Sequence, residues 1–212
     1  MSENKILDLP KSLFDLSRMK KVIDFGCGDG SFNYTSFPSL NITAIDRRIP
    51  KGLSEFPDNV KFIKFESNES DNISSDFDLI IMNYVLEHVS DPLKIILYAE
   101  SKLTKDGILY VSIPNYKSFQ DRLFRMATFI VGSKQGPHIQ KFTFKNFLQL
   151  VNINTNLKLE YYQINAAEFS FLKNKSSLKW IYTPWLYLMN KLKSIGLDLL
   201  KNSNYIFVLK KV

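Results

Sequence analysis

The chain has 212 residues, 45% of them apolar and 14% aromatic, with a formal charge of +7. That is enough for one α/β domain with a real core, short for two, and too apolar for a disordered chain. The positive excess forms no compact Lys/Arg stripe, so no specific nucleic-acid partner is expected. The single cysteine, Cys27, excludes an intrachain disulfide and fits a cytoplasmic setting.

The first residues, MSENKILDLPKSLFDL, carry no signal-peptide apolar core, and a short helix is predicted over 11–19. Strand one follows over 21–25 and stops at three alternating glycines, Gly26, Gly28 and Gly30. Glycine has no Cβ, so such a loop lets the backbone approach a ligand closely. A helix is expected next, cut short by Pro38. Strand two, 42–45, ends in Asp46, and an acid at that tip can accept hydrogen bonds from both hydroxyls of a ribose. These features together predict a nucleoside-containing cofactor lying across the carboxyl ends of parallel strands.

Strand three, 60–65, alternates apolar residues, and strand four, 77–82, is the near-continuous apolar run of a buried parallel strand. Ser90-Asp91-Pro92 starts a helix that runs to about residue 103, and Lys105-Asp106-Gly107 turns the chain into strand five, 108–113. A helix over 142–151, with Thr143 as a possible N-cap, and strands over 157–164 and 205–210 complete the set. The alternation implies one α/β domain over 1–212 with a doubly wound, mostly parallel sheet. Two stretches lie outside this minimal core, 116–140 and 166–202, and both are rich in aromatic residues and lysine. They are the natural material for helical inserts forming a substrate lid. Within the second, 178–200 mixes apolar residues and lysines at helical intervals. It suits packing on the sheet, lining a lipophilic pocket, or peripheral contact with a membrane surface. Its longest apolar stretch, 180–190, is about half of a membrane span.

The glycine spacing separates cofactors. A dinucleotide fingerprint needs its third glycine at position 31, where Ser31 stands; the motif here is G-x-G-x-G. Asp24, two residues before Gly26, would repel a pyrophosphate but can bind an amino group. The runs VIDFGCGDG (22–30), DFDLIIMNYVLEHV (76–89) and LTKDGILYVSIPN (103–115), with Asp46 between the first two, resemble class I S-adenosylmethionine-dependent methyltransferases. The resemblance covers about residues 20–115 in order and spacing. It implies a Rossmann-like sheet of seven strands with an antiparallel last strand, S-adenosyl-L-methionine as cofactor and S-adenosyl-L-homocysteine as product.

It also implies roles for particular residues. Asp24 would take the amino group of the cofactor's methionine part, Gly26 and Gly28 would let the cofactor pass over the turn, and Asp46 would hold the ribose. Cys27, inside that loop, is counted with the cofactor-binding residues, as a small filler rather than a nucleophile. Arg47 would lie against the adenine, Glu66 or Ser67 would meet the adenine amino group, and Asn83 and Tyr84 would face the sulfur and methyl. Nucleic-acid methyltransferases show an Asn/Asp-Pro-Pro-aromatic run after strand four; MNYV has no proline.

Glu87 and His88 sit in LEHV, similar to small-molecule methyltransferases of the ubiquinone-biosynthesis type. Some of those add an acid three residues before the Glu to hold a divalent cation. Tyr84 stands at that position, so no metal is expected, and His88 is read as a structural contact before catalysis. His138, in GPHIQKFT, resembles the H-[IL]-x-x-[FY]-[ST] segment that follows an S-[VI]-P-N turn in small-molecule and glycan-pathway methyltransferases; Ser112-Ile113-Pro114-Asn115 supplies the turn. A histidine there faces the acceptor and can take a proton near neutral pH, or it can orient the helix starting near Thr143. The expected activity is methyl transfer to an oxygen or nitrogen of a small molecule, glycan or lipid precursor. The alternatives are a catalytically silent cofactor-binding partner subunit and an RNA or protein methyltransferase. The glycine spacing disfavours a nicotinamide dehydrogenase.

Overall fold

Seven strands form one sheet in the order β3-β2-β1-β4-β5-β7-β6. They are β1 (Lys21–Phe25), β2 (Asn41–Asp46), β3 (Val60–Lys64), β4 (Phe77–Asn83), β5 (Leu103–Pro114), β6 (Leu157–Asn165) and β7 (Asn204–Lys211). The computed structural model describes residues 18–65, 73–118, 138–165 and 203–212, with Arg122, Tyr187, Lys191 and Ser194 besides. Most of the helix expected over 11–19, Glu66 and Ser67, and most of both inserts, 178–200 nearly entire, lie outside the described residues.

β1 pairs in parallel with β2 and β4, β2 with β3, and β4 with β5. β7 runs antiparallel between β5 and β6. This is the mostly parallel sheet with an antiparallel last strand expected from the sequence. Alternate residues feed two faces. Ile23, Ile80, Met82, Val111 and Phe207 point to one face, which α1 (Pro92–Lys102) and α2 (Phe144–Asn154) cover with Ile96, Ala99, Phe147 and Val151. Val22, Leu79, Ile81, Tyr110 and Val208 point to the other, against Leu40, Phe32 and Tyr34.

Both helices start where local chemistry dictates. The Asp91 carboxylate accepts from Lys94 N at 3.0 Å, with Pro92 at the first helical position. Thr143 and Asn146 cap each other reciprocally, and α2 runs three residues beyond its expected end. Glu100 of α1 accepts from Asn156 N at 2.6 Å, tying that helix to the start of β6.

Two expectations need correction. The turn at Lys105-Asp106-Gly107 lies inside β5 as an irregularity: pairing jumps from Phe77↔Leu103 to Leu79↔Ile108. More important for the site, the segment between β1 and β2 holds one 3-10 turn, Tyr34–Ser36, where a helix was expected. Asn33 caps that turn, accepting from Thr35 N at 3.3 Å and from Thr35 Oγ1 at 2.7 Å, and the turn ends at Phe37, the residue before Pro38. An aromatic cluster fills the space instead. Phe32 meets Tyr34 and Phe37 with ring centroids 4.8 and 5.8 Å apart, and Tyr34 meets Phe56 at 5.2 Å.

Candidate active site

The glycine loop leaves β1 and immediately bonds to its neighbour: Gly26 N and Cys27 N both donate to Ile45 O, at 2.7 and 3.0 Å. Gly26 and Gly28 adopt positive φ, 71° and 55°, which other residues take up only with strain. Their surroundings differ sharply. A Cβ on Gly26 would stand 2.5 Å from Val85 Cγ2, so the loop rests directly on the exit of β4. A Cβ on Gly28 would meet nothing within 4 Å. Gly28 therefore presents bare backbone to open space. The Cys27 side chain turns the other way, into the core, where burial pushes its thiol pKa well up and leaves it a poor nucleophile.

Asp46 sits at the tip of β2 and holds the loop. Its Oδ2 accepts from Gly28 N at 2.8 Å and its Oδ1 from Arg48 N at 2.9 Å. The carboxylate is only half-buried, and each oxygen retains further acceptor capacity. Arg47, beside it, is exposed.

Asp24 is fully buried under the loop. Its Oδ2 accepts from the Tyr34 hydroxyl at 2.6 Å and from Ser31 N at 3.0 Å. Its Oδ1 has no hydrogen-bond partner among the described residues. A buried carboxylate oxygen in that state asks for a donor or a cation. Burial raises the Asp24 pKa above the ordinary 3.8, the bonds from Tyr34 and Ser31 oppose this, and the Asp46 charge adds to the rise.

A raised folded-state pKa has a definite sign. The folded chain holds the proton better than the unfolded one, so stability is lost as pH climbs from 3.8 through the folded value. Asp24→Asn removes this titration, so the loss of stability of the ligand-free protein as pH rises from 3.8 is expected to flatten. The same change should weaken binding of a cationic amino group. Thermal denaturation over a pH series rising from 3.8 reads the first effect; an equal pH dependence in the variant and the wild type would refute it.

On the other side of β4, Asn83 ends the strand and Tyr84 follows at a φ of 57°. Left-handed backbone is uncommon for a bulky residue. It is held here by the bond from Tyr84 N to Ser112 O at 3.0 Å, and the residue is 36% exposed. Val85 then leads into a 3-10 turn, Leu86–His88, which buries Leu86 and Glu87.

The segment from His138 docks on that turn. Ile139 N and Gln140 N donate to Glu87 O at 2.7 and 3.1 Å, while Gln140 Nε2 reaches Val89 O at 2.8 Å and Ser90 O at 3.1 Å. This clamp sets the His88 and His138 rings edge to face, with centroids 4.9 Å apart. One ligand atom from each of Glu87, His88 and His138 lies within 4.8 Å of the others.

The structure thus gathers Asp24, Gly26, Gly28 and Asp46 at one set of strand tips, and Glu87, His88 and His138 just past β4. Tyr34 was missed by the sequence reading: nothing in its spacing marks a phenol that reaches back to Asp24. The joining of His88 to His138 was missed too. Glu66 lies outside the described residues.

The chain belongs to a methyltransferase family: the family model described as a methyltransferase domain matches residues 2–161. It is 32% identical over 108 residues to the ubiquinone biosynthesis O-methyltransferase of Actinobacillus pleuropneumoniae serotype 7 (strain AP76), covering 45% of this chain and 46% of that protein. The chain thus spans about half the length of the curated relatives it matches. Among solved structures, a SAM-dependent methyltransferase from Archaeoglobus fulgidus superposes with a TM-score of 0.62 at 13% identity, covering 97% of this chain and 92% of that one. The Burkholderia thailandensis 1,6-didemethyltoxoflavin-N1-methyltransferase, with bound 1,6-didemethyltoxoflavin and S-adenosylhomocysteine, gives 0.58 at 14% identity, over 93% and 73% of the two chains. At those identities the superpositions establish the shared fold. Among the described residues, no helix is long and apolar enough to cross a membrane.

Proposed function

We propose that this chain transfers a methyl group from S-adenosyl-L-methionine to an oxygen or nitrogen of a small molecule, a glycan precursor or a lipid precursor. The observation that carries the reading is the conjunction at the strand tips. Gly28 faces open space above the Asp46 carboxylate, and a fully buried Asp24 keeps one oxygen in need of a partner. Family membership supports the activity, and two relatives named for small-molecule methylation support the acceptor class.

When bound, the cofactor would supply a methyl carbon on a cationic sulfur, to which an acceptor lone pair would bond in line as the C–S pair leaves with the sulfur. Charge is dispersed in that displacement, so the protein's work is alignment and exclusion of water. Asp46 is proposed to accept from the ribose hydroxyls and Asp24 to meet the amino group, with Gly26 and Gly28 leaving the path clear. Arg47 and Glu66 are assigned to the adenine side. Asn83 and Tyr84 are assigned to the side of the reacting methyl. Beyond them, Glu87, His88 and His138 form the place where the acceptor's hydroxyl or amine is handled, with His138 the candidate to take its proton.

Incubation with methyl-labelled cofactor and a panel of hydroxylated and amino-bearing small molecules tests the activity. Label in an organic product, with equal release of S-adenosyl-L-homocysteine, is expected. Tight cofactor binding with no turnover on any acceptor would favour a silent partner subunit, and no cofactor binding would sink the reading.

A further inference from the structure

We infer that Glu87, His88 and His138 form a three-ligand site for a divalent transition-metal cation of the zinc class, with one coordination position open on the acceptor side. This deepens the proposed function and rests on it only for what the open position faces. The binding itself stands on the cluster.

The first support is placement. One ligand atom from each residue lies within 4.8 Å of the other two. A tetrahedral zinc site with bonds of about 2.0–2.1 Å wants its donors roughly 3.3 Å apart. Binding therefore requires the three donors to close in from separations of up to 4.8 Å. The second support is rigidity. His138 is not carried on a free loop: four hydrogen bonds from Ile139 and Gln140 lock its segment to Glu87, Val89 and Ser90. Preorganised donors bind metal with less ordering to do, which separates a built site from histidines that happen to be neighbours.

The donor chemistry selects the metal. Two imidazoles and one carboxylate suit zinc and its neighbours, whereas Mg²⁺ prefers an all-oxygen shell. Three protein ligands with a fourth position open is the arrangement of reactive rather than structural zinc sites. The cluster also lies in a telling place. Val85, against which the Gly26 loop packs, is two residues before Glu87. A cation held there would stand beside the strand tip assigned to the methyl. An acceptor hydroxyl on the open position would become more acidic and lose its proton readily, and His138 would then act through the cation rather than as a free base. The set is not that of relatives that use an acid three residues before the Glu. Tyr84 occupies that place here, and the third donor comes from fifty residues further on.

Metal-stripped protein, with any affinity tag removed, is titrated with Zn²⁺, Co²⁺ and Mg²⁺ in the absence of cofactor, by calorimetry and visible absorption. One equivalent of Zn²⁺ is expected to bind, with Mg²⁺ far weaker, and Co²⁺ should give the intense bands of four- or five-coordination. Loss of an outer-shell partner alone costs roughly 10- to 100-fold, so His138→Gln, which removes a ligand, should weaken Zn²⁺ binding by about 100-fold or more and bleach the Co²⁺ bands. Its metal-free melting temperature should match that of the wild type. Glu87 is buried, so Glu87→Gln serves as the second variant, with circular dichroism confirming its fold. Zn²⁺ affinity equal in wild type and both variants, or a preference for Mg²⁺, would overturn the assignment. Binding of S-adenosyl-L-homocysteine, measured in parallel, reports separately on the proposed function.

Discussion

Gly28→Ala is expected to abolish useful cofactor binding while leaving the fold nearly intact. The φ of 55° at this residue is left-handed, so a Cβ there strains the backbone by about 1 kcal/mol. Around that Cβ there is nothing within 4 Å to clash with, so no packing loss adds to the strain. The methyl instead projects into the space assigned to the cofactor. A drop in affinity of about 100-fold or more, some 2.7 kcal/mol, is expected by calorimetry with S-adenosyl-L-homocysteine. The melting temperature should fall by only a few degrees. Gly26→Ala is the natural control, because its Cβ would sit 2.5 Å from Val85 Cγ2 and should damage the fold itself. Full affinity in Gly28→Ala would place the cofactor elsewhere.

Asp46→Ala carries the second large effect, and it acts twice. The carboxylate is assigned to two ribose hydroxyls, and hydrogen bonds to a charged group contribute roughly 1.5–3 kcal/mol each. It also holds Gly28 N at 2.8 Å and Arg48 N at 2.9 Å, so the loop loses its anchor together with the ligand. Both amides lie near solvent and can turn to water, which limits the loss of stability to about 1 kcal/mol. Cofactor affinity should fall roughly 100- to 1000-fold. Asp46→Asn should recover part of it, since an amide oxygen still accepts from Gly28 N. Unchanged affinity in the alanine variant, measured by the same calorimetry, would remove Asp46 from the site.

Most of the sheet was legible because its signals are local. Buried parallel strands read as continuous apolar runs, as in β4. Helix starts are written in two or three residues, as Ser90-Asp91-Pro92 and Thr143 show. The missing helix after the glycines is a different matter. Pro38 was read as cutting a helix short, but only the single turn Tyr34–Ser36 forms before Phe37 leaves helical geometry, and the packing of Phe32, Tyr34 and Phe37 around it is invisible in a residue list. The candidate site divides in the same way. Asp24, Gly28 and Asp46 declare themselves by position at strand tips, whereas Tyr34 reaches Asp24 by a turn whose shape depends on packing against Phe32 and Phe56. The meeting of His88 and His138 depends on a main-chain clamp between segments far apart in sequence, and no periodicity records it.

Under the proposed function, Val85 has a practical meaning for anyone wishing to redirect the chain toward new acceptors. Its side chain is the seat of the Gly26 turn, and its backbone opens the turn bearing Glu87 and His88. Enlarging or trimming it would disturb the proposed donor and acceptor sides at once, so a library aimed at altered scope should hold position 85 fixed and diversify the neighbouring tyrosine.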